Sequence, residues 1–177
     1  MRFWKGFLVV MLVIAGIILL LPYHREFRIY DSKVIERDAK AIFPYLNSFR
    51  RFNEWSDWAA RDPQTEFVFS GPEDGVGAKM AWRSNDDQIG KGHLEIIESR
   101  PDQTIVIAVA VPPKKEARLI YKLISSGSRT MVEWSIESSQ DANLFQYLAG
   151  GMLDEADAGH LPGDLERLKR KVEASPS

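Results

Sequence analysis

Residues 50–63, RRFNEWSDWAARDP, hold the densest set of side chains able to do chemistry. Glu54 and Asp57 are three apart, and two carboxylates on one helix face can divide general-acid and general-base roles. Arg50, Arg51 and Arg61 stand close enough to neutralise them. A solvated face, or a cap, is therefore the plainer reading. Trp55 and Trp58 have the same spacing, and Phe52 precedes Trp55 by three. In a helix these rings share a face. They dock that helix on its scaffold, or one indole lines a ligand cavity and lends it a polar N–H. One ring can do both. Asp62 before Pro63 most simply ends the helix.

Other candidate chemistry is sparse. GPEDGVGA, 71–78, is glycine-rich but lacks the lysine and hydroxyl residue of a phosphate loop and the spacing of a dinucleotide loop. Gly75 and Gly77 suit a tight hairpin, or else a gate over a cavity. His24, His93 and His160 are far apart, so no metal site is expected. There is no cysteine, hence no disulfide framework and no thiol nucleophile, and no GxSxG string. Asp154, Glu155 and Asp157 read as the wet side of a helix, with a cavity-facing role as the alternative. No cofactor is expected.

These residues need elements to position them. EFRIYDSKVIE, 26–36, reads as a strand, and Asp38 can cap a helix through AKAIFPYLNSF in which Ile42, Phe43 and Leu46 share a face. Pro44 is tolerated there if it lies in the first turn. Then come strand-like runs: TEFVFS, KMAWRS, GHLEIIES, TIVIAVAV, ARLIYKLISS and TMVEWSIESS, separated by short polar turns. Connections so short imply an antiparallel meander. Within it Met80 and Trp82 share one face, as do Val132, Trp134 and Ile136, with Arg83, Arg118, Glu133 and Glu137 on the other. The chain closes in helical segments broken near AGHLPG, with Leu161, Leu165, Leu168 and Val172 forming an apolar stripe to press on the sheet.

The first residues read differently. GFLVVMLVIAGIILLLP, 6–22, carries no charge. As a helix, residues 3–22 would rise about 30 Å, the thickness of a hydrocarbon core. Trp4 and Tyr23 sit where interfacial anchors are expected, and Pro22 marks a plausible end. A cleaved signal peptide and a buried helix are the rival readings. The expectation is a single-pass membrane anchor over 1–24, one domain over 25–174 and a tail at 175–177. Basic residues flank the span on both sides, so the side of the membrane stays open.

Of 177 residues, 45% are apolar and 27% charged, enough for one core. Net charge is −2, and since the first 24 residues hold Arg2 and Lys5 and no acid, the remainder carries −4. With no long basic stripe, a nucleic-acid partner is not expected.

The order strand, two short helices, about six strands and a helical tail resembles the START-like (SRPBCC, helix-grip) superfamily, in its polyketide cyclase/dehydrase-like branch. The strings that carry the resemblance are FPYLNSFRRFNEWSDWAARDP, FSGPEDGVGAKMAWRSN, IGKGHLEIIESRP, TMVEWSIE and LERLKRKVE, within residues 28–173. It implies an α+β fold: a curved antiparallel sheet of about seven strands wrapped around a long C-terminal helix, here with an N-terminal transmembrane helix. It also implies a pocket for apolar or aromatic molecules. On this chain Trp55, Trp58, Met80, Trp82, Leu94, Trp134 and Met152 become the cavity candidates. Pro162 and Gly163 depart from the family's uninterrupted last helix.

The resulting expectation is a membrane-tethered binding domain for a small hydrophobic or lipid-like molecule. The alternatives are a cyclase- or dehydratase-like enzyme working by confinement and acid–base catalysis, and a non-catalytic stress or assembly factor. Oligomeric state is not legible in the residues.

Overall fold

The computed structural model describes residues 11, 22–56, 62–85, 90–111, 115–143 and 165–175. The chain divides into two compact units, Met1–Glu26 with Ser139–Gly159, and Phe27–Ser138 with His160–Ser177. The second contains the core and all the side chains discussed below.

β1 (Pro22–Ile35) leads into α1 (Ala39–Asn47) and α2 (Phe49–Phe52). Six strands follow: β2 (Glu66–Ser70), β3 (Lys79–Arg83), β4 (Lys91–Arg100), β5 (Thr104–Val111), β6 (Lys115–Ser126) and β7 (Arg129–Asn143). α3 (Leu165–Ala174) comes last. The seven strands form one antiparallel sheet in the order β1-β7-β6-β5-β4-β3-β2. Short connections dictate this meander. Gly127 and Ser128 alone separate β6 from β7, and Asp102, with φ 59°, turns β4 into β5.

Period-2 alternation sorts the strand residues. Three inner-face rows run across neighbouring strands: Ile96–Ile107–Leu119–Ile136, Ile105–Tyr121–Trp134, and Leu123–Val132. Every member is buried. Ile42, Phe43 and Leu46 of α1 and Leu165, Leu168 and Val172 of α3 join them in a single core cluster. The α1 start is the expected one: Asp38 accepts from the Ala41 N–H at 2.9 Å. Pro44, however, is the sixth residue of the helix and not in its first turn. It has no N–H to give the Lys40 carbonyl.

Polar contacts ring α3. Lys33 pairs with Glu166 at 3.2 Å and Lys171 with Glu54 at 2.9 Å. The Glu36 N–H donates to Glu173 at 2.8 Å, Arg37 donates to the Glu173 carbonyl at 2.9 Å, and Lys169 to the Val34 carbonyl at 2.9 Å.

Two expectations are corrected here. The first concerns the membrane span at 3–22. Apart from Met11 and Pro22 it lies outside the described residues. Pro22 opens a strand and does not close a helix, and no helix among the described residues is long and apolar enough to cross a membrane. A span needs about 20 helical residues to satisfy its own backbone. The anchor, the single-pass location and the membrane as a partner rested on that helix and fall with it. The second concerns the wrapping. β1 and β2 are the two free edges of an open sheet, and the sheet is not strongly curled. Among the described pairings only one register shift occurs, between Ile96 and Glu98. Strong curling draws on repeated bulges or bends. The described C-terminal helix is ten residues, about 15 Å.

Candidate functional site

Trp55 lies in the turn that follows α2, with the N–H groups of Trp55 and Ser56 both bonded to the Phe52 carbonyl. Its indole is buried and donates to the Tyr45 carbonyl at 3.1 Å. Its own carbonyl accepts from Arg167 of α3 at 2.9 Å. Ring contacts run Phe49–Phe52–Trp55–Tyr121 with centroids 6.3, 4.7 and 6.4 Å apart, all edge-to-face. Trp55 thus anchors α1, α2, α3 and the sheet to one another. Trp58 and Met152 lie outside the described residues.

The four strand candidates, Met80, Trp82, Leu94 and Trp134, are all buried on the inner face of the sheet. Met80 pairs across strands with Leu94, and Trp82 with Gly92. Trp134 pairs with Tyr121. Trp134 is 5% exposed, and its Nε1–H meets no acceptor at hydrogen-bonding geometry. It lies near enough to the Tyr121 hydroxyl to favour the ionised phenol. Burial outweighs that influence and pushes the Tyr121 phenol far above its ordinary value. Tyr121 is therefore neutral across the physiological range and cannot act as a base. Asn53 Oδ1 and Ser56 Oγ, flanking Trp55, are also buried without partners.

The suspected carboxylate pair does not form a site. Glu54 is exposed and bonded to Lys171, while Asp57 lies outside the described residues. Asp62 has a structural task. It accepts from Ser84, from the Gln64 N–H at 2.9 Å and from Thr65 at 3.2 Å. The Ser84 hydroxyl, followed by the Gln64 amide, holds its carboxyl below the ordinary value. His93 is exposed on the outer face. Asp154, Glu155, Asp157 and His160 lie outside the described residues, among which no group of three His, Cys, Asp or Glu side chains could hold a metal.

A cleft of about 280 Å³ opens between α2 and the β2–β3 turn, lined by Phe49, Arg50, Phe69, Pro72, Glu73 and Lys79 among others. The Arg50 guanidinium lies 4.6 Å over the Phe69 ring. In the sequence this region reads as a glycine-rich turn, with a gate over a cavity as the alternative. The turn is firmly tied: the Gly75 N–H donates to the Asn47 carbonyl and the Gly77 N–H to the Ile96 carbonyl.

No family model matches the chain, and no curated protein matches it either. The polyketide cyclase/dehydrase-like placement therefore has no family match behind it and is corrected to a likeness of fold. Solved structures do match. The chain resembles the Mll3558 protein from Rhizobium loti at TM-score 0.56 and 16% identity, covering 84% of this chain and 98% of that one. It resembles SA2116 from Staphylococcus aureus, a protein of unknown function, at TM-score 0.60 and 10% identity, covering 86% and 95%. It also resembles norcoclaurine synthase from Thalictrum flavum, in complex with dopamine and hydroxybenzaldehyde, at TM-score 0.63 and 9% identity, covering 87% and 90%. At these identities the likeness is of architecture: the fold resembles a helix-grip, SRPBCC-like domain.

Proposed function

We propose that this chain is a helix-grip binding module for a small hydrophobic molecule, held against the inner face of the sheet and without chemistry of its own. Trp55, Met80, Trp82, Leu94 and Trp134 remain the candidate wall, with Trp58 and Met152 as further candidates. The supporting observation is the character of that wall. It is aliphatic and aromatic, and the buried polar residues among those described are serines and threonines, with no carboxylate, imidazole or cation. Such a surface gains affinity from buried apolar area, about 25 cal/mol per Å².

The tethered form of this reading is withdrawn with the membrane helix. A fold neighbour, norcoclaurine synthase, has been seen with two small aromatic molecules. That supports the size and class of ligand, and it keeps an enzyme reading as the rival. Acid–base catalysis needs a titratable group poised near neutrality inside the cavity. Among the buried titratable groups described, Tyr121 is pushed by burial away from that range.

The test is mass spectrometry under native conditions on the full chain, followed by denaturing extraction. A co-purifying small apolar molecule released intact supports binding. A chemically altered one on incubation supports the enzyme, and failure of any apolar probe to bind removes the module reading.

A further inference from the structure

The cleft between α2 and the β2–β3 turn shares no lining residue with the candidate wall of Trp55, Met80, Trp82, Leu94 and Trp134. Its two sides are tied to each other. The hydroxyl of Ser48, just before α2, donates to the Glu73 carbonyl at 3.3 Å, and the Gly75 N–H donates to the Asn47 carbonyl at 2.9 Å. The Gly77 N–H fixes the same turn to the sheet through the Ile96 carbonyl at 2.8 Å. The opening is therefore formed before anything enters it. Its volume of about 280 Å³ lies just under the range of sites for drug-sized molecules, roughly 300–1,000 Å³, so it suits a smaller occupant.

Charge gives the cleft its chemistry. Arg50 borders it from α2 and Glu73 from the turn, and both are exposed. Neither forms an ion pair with the other or with any other described residue. The Arg50 guanidinium is steadied instead by the Phe69 ring, 4.6 Å away, a contact that leaves its N–H donors available. Lys79, the other cation of the lining, is already paired with Glu95 at 3.1 Å. One positive and one negative group thus border a common opening without compensation. A simple carboxylate would satisfy Arg50 but crowd Glu73 with like charge, and a simple amine would do the reverse. A molecule carrying both charges satisfies both groups.

We infer that this cleft is a second binding site, for a small zwitterion with an apolar side chain, of the α-amino acid class. Its carboxylate pairs with the Arg50 guanidinium, whose planar fork matches a carboxylate with two parallel bonds. Its ammonium donates to the Glu73 carboxylate, and its side chain rests against Phe69 and Pro72. The site goes beyond the hydrophobic molecule proposed for the inner face of the sheet and does not depend on it.

Three related probes test this by amide chemical-shift titration of the 15N-labelled full chain. They are L-phenylalanine, 3-phenylpropanoate, which lacks the ammonium, and 2-phenylethylamine, which lacks the carboxylate. L-phenylalanine should bind about tenfold tighter than either, with shifts centred on the amides of Gly71, Gly75 and Gly77. In Arg50→Gln its advantage over 2-phenylethylamine should vanish, and in Glu73→Gln its advantage over 3-phenylpropanoate. Both side chains are exposed, so neither change opens the core. The inference is overturned if L-phenylalanine does not bind, binds no tighter than a probe with one charge, shifts amides away from the cleft, or keeps its advantage in the matching variant. Each of these results leaves the hydrophobic binding module standing, because its wall lies elsewhere. Should a variant not fold, the order of affinities and the position of the shifts in the unaltered chain decide.

Discussion

The indole of Trp82 packs against Gly92, its cross-strand partner, over the place a side chain there would take. A Cβ at position 92 would sit 2.4 Å from Trp82 Cη2 and 2.6 Å from the Ala110 carbonyl oxygen. Glycine is here because the ring occupies the place of a side chain. Gly92→Ala is expected to cost about 1–3 kcal/mol through overpacking, read as a lower midpoint in urea. Shrinking the ring with Trp82→Leu in the same chain should recover only part of it, since the Ala110 carbonyl stays where it is.

Trp55 holds four elements at once, through ring contacts to Phe52 and Tyr121 and hydrogen bonds to Tyr45 and from Arg167. Trp55→Ala should therefore cost about 3–5 kcal/mol from the cavity alone, with the stranded Tyr45 carbonyl adding to it. Urea denaturation followed by far-ultraviolet circular dichroism measures this. A change below 1 kcal/mol would place the indole outside the core.

Asp62 ties the entry of β2 to the exit of β3. Its folded pKa lies below the ordinary 3.8, chiefly through the Ser84 hydroxyl. A carboxyl lowered by folding favours the folded state above pH 3.8, where both states are ionised. That contribution fades as pH falls from there through the folded value. Asp62→Asn should thus be less stable than the unaltered chain at pH 6, with the gap closing below pH 4. A gap independent of pH would sink the assignment.

Gly71 and Gly127 both have positive φ, 77° and 64°. They differ in space: a Cβ at 71 would lie 2.2 Å from the Gly77 carbonyl oxygen, while one at 127 meets nothing within 4 Å. Gly127→Ala should cost only the backbone strain, about 1–2 kcal/mol. Gly71→Ala should cost clearly more and disturb the cleft beside Phe69. Thermal melts of the two variants side by side give the comparison.

What the residues alone revealed follows from how local each feature is. The facing of Met80 and Trp82, and of Val132, Trp134 and Ile136, is a period-2 property written along each strand, and it came out as expected. So did the Asp38 cap, which needs only three residues. The helix face assumed for Trp55 did not, because α2 ends at Phe52. What fixes that indole is the Tyr45 carbonyl, ten positions back. The apolar run before Pro22 invited a span through its length, its lack of charge and the flanking Trp4 and Tyr23, with Pro22 as its end, and β1 begins at that proline. Sheet curl was inferred from family likeness, yet it depends on where strands bulge, which alternation does not encode.

The ring of contacts around α3 has a consequence for how the protein is made. Lys169 meets the Val34 carbonyl, Arg37 the Glu173 carbonyl and Lys33 Glu166, across more than 130 positions of chain. The helix that carries Leu165, Leu168 and Val172 into the core follows every strand of the sheet in the chain, and so is made after all of them. The strands can pair one after another as they emerge, but the rows from Ile96 to Val132 lack these three side chains until residues 165–174 have been made. Closing so long a loop is slow, and an uncovered apolar sheet with two open edges is what chaperones bind and aggregates grow from. Truncation before residue 165 should convert a folding chain into a chaperone client, because the ten-residue helix α3 is what closes the apolar face of the sheet.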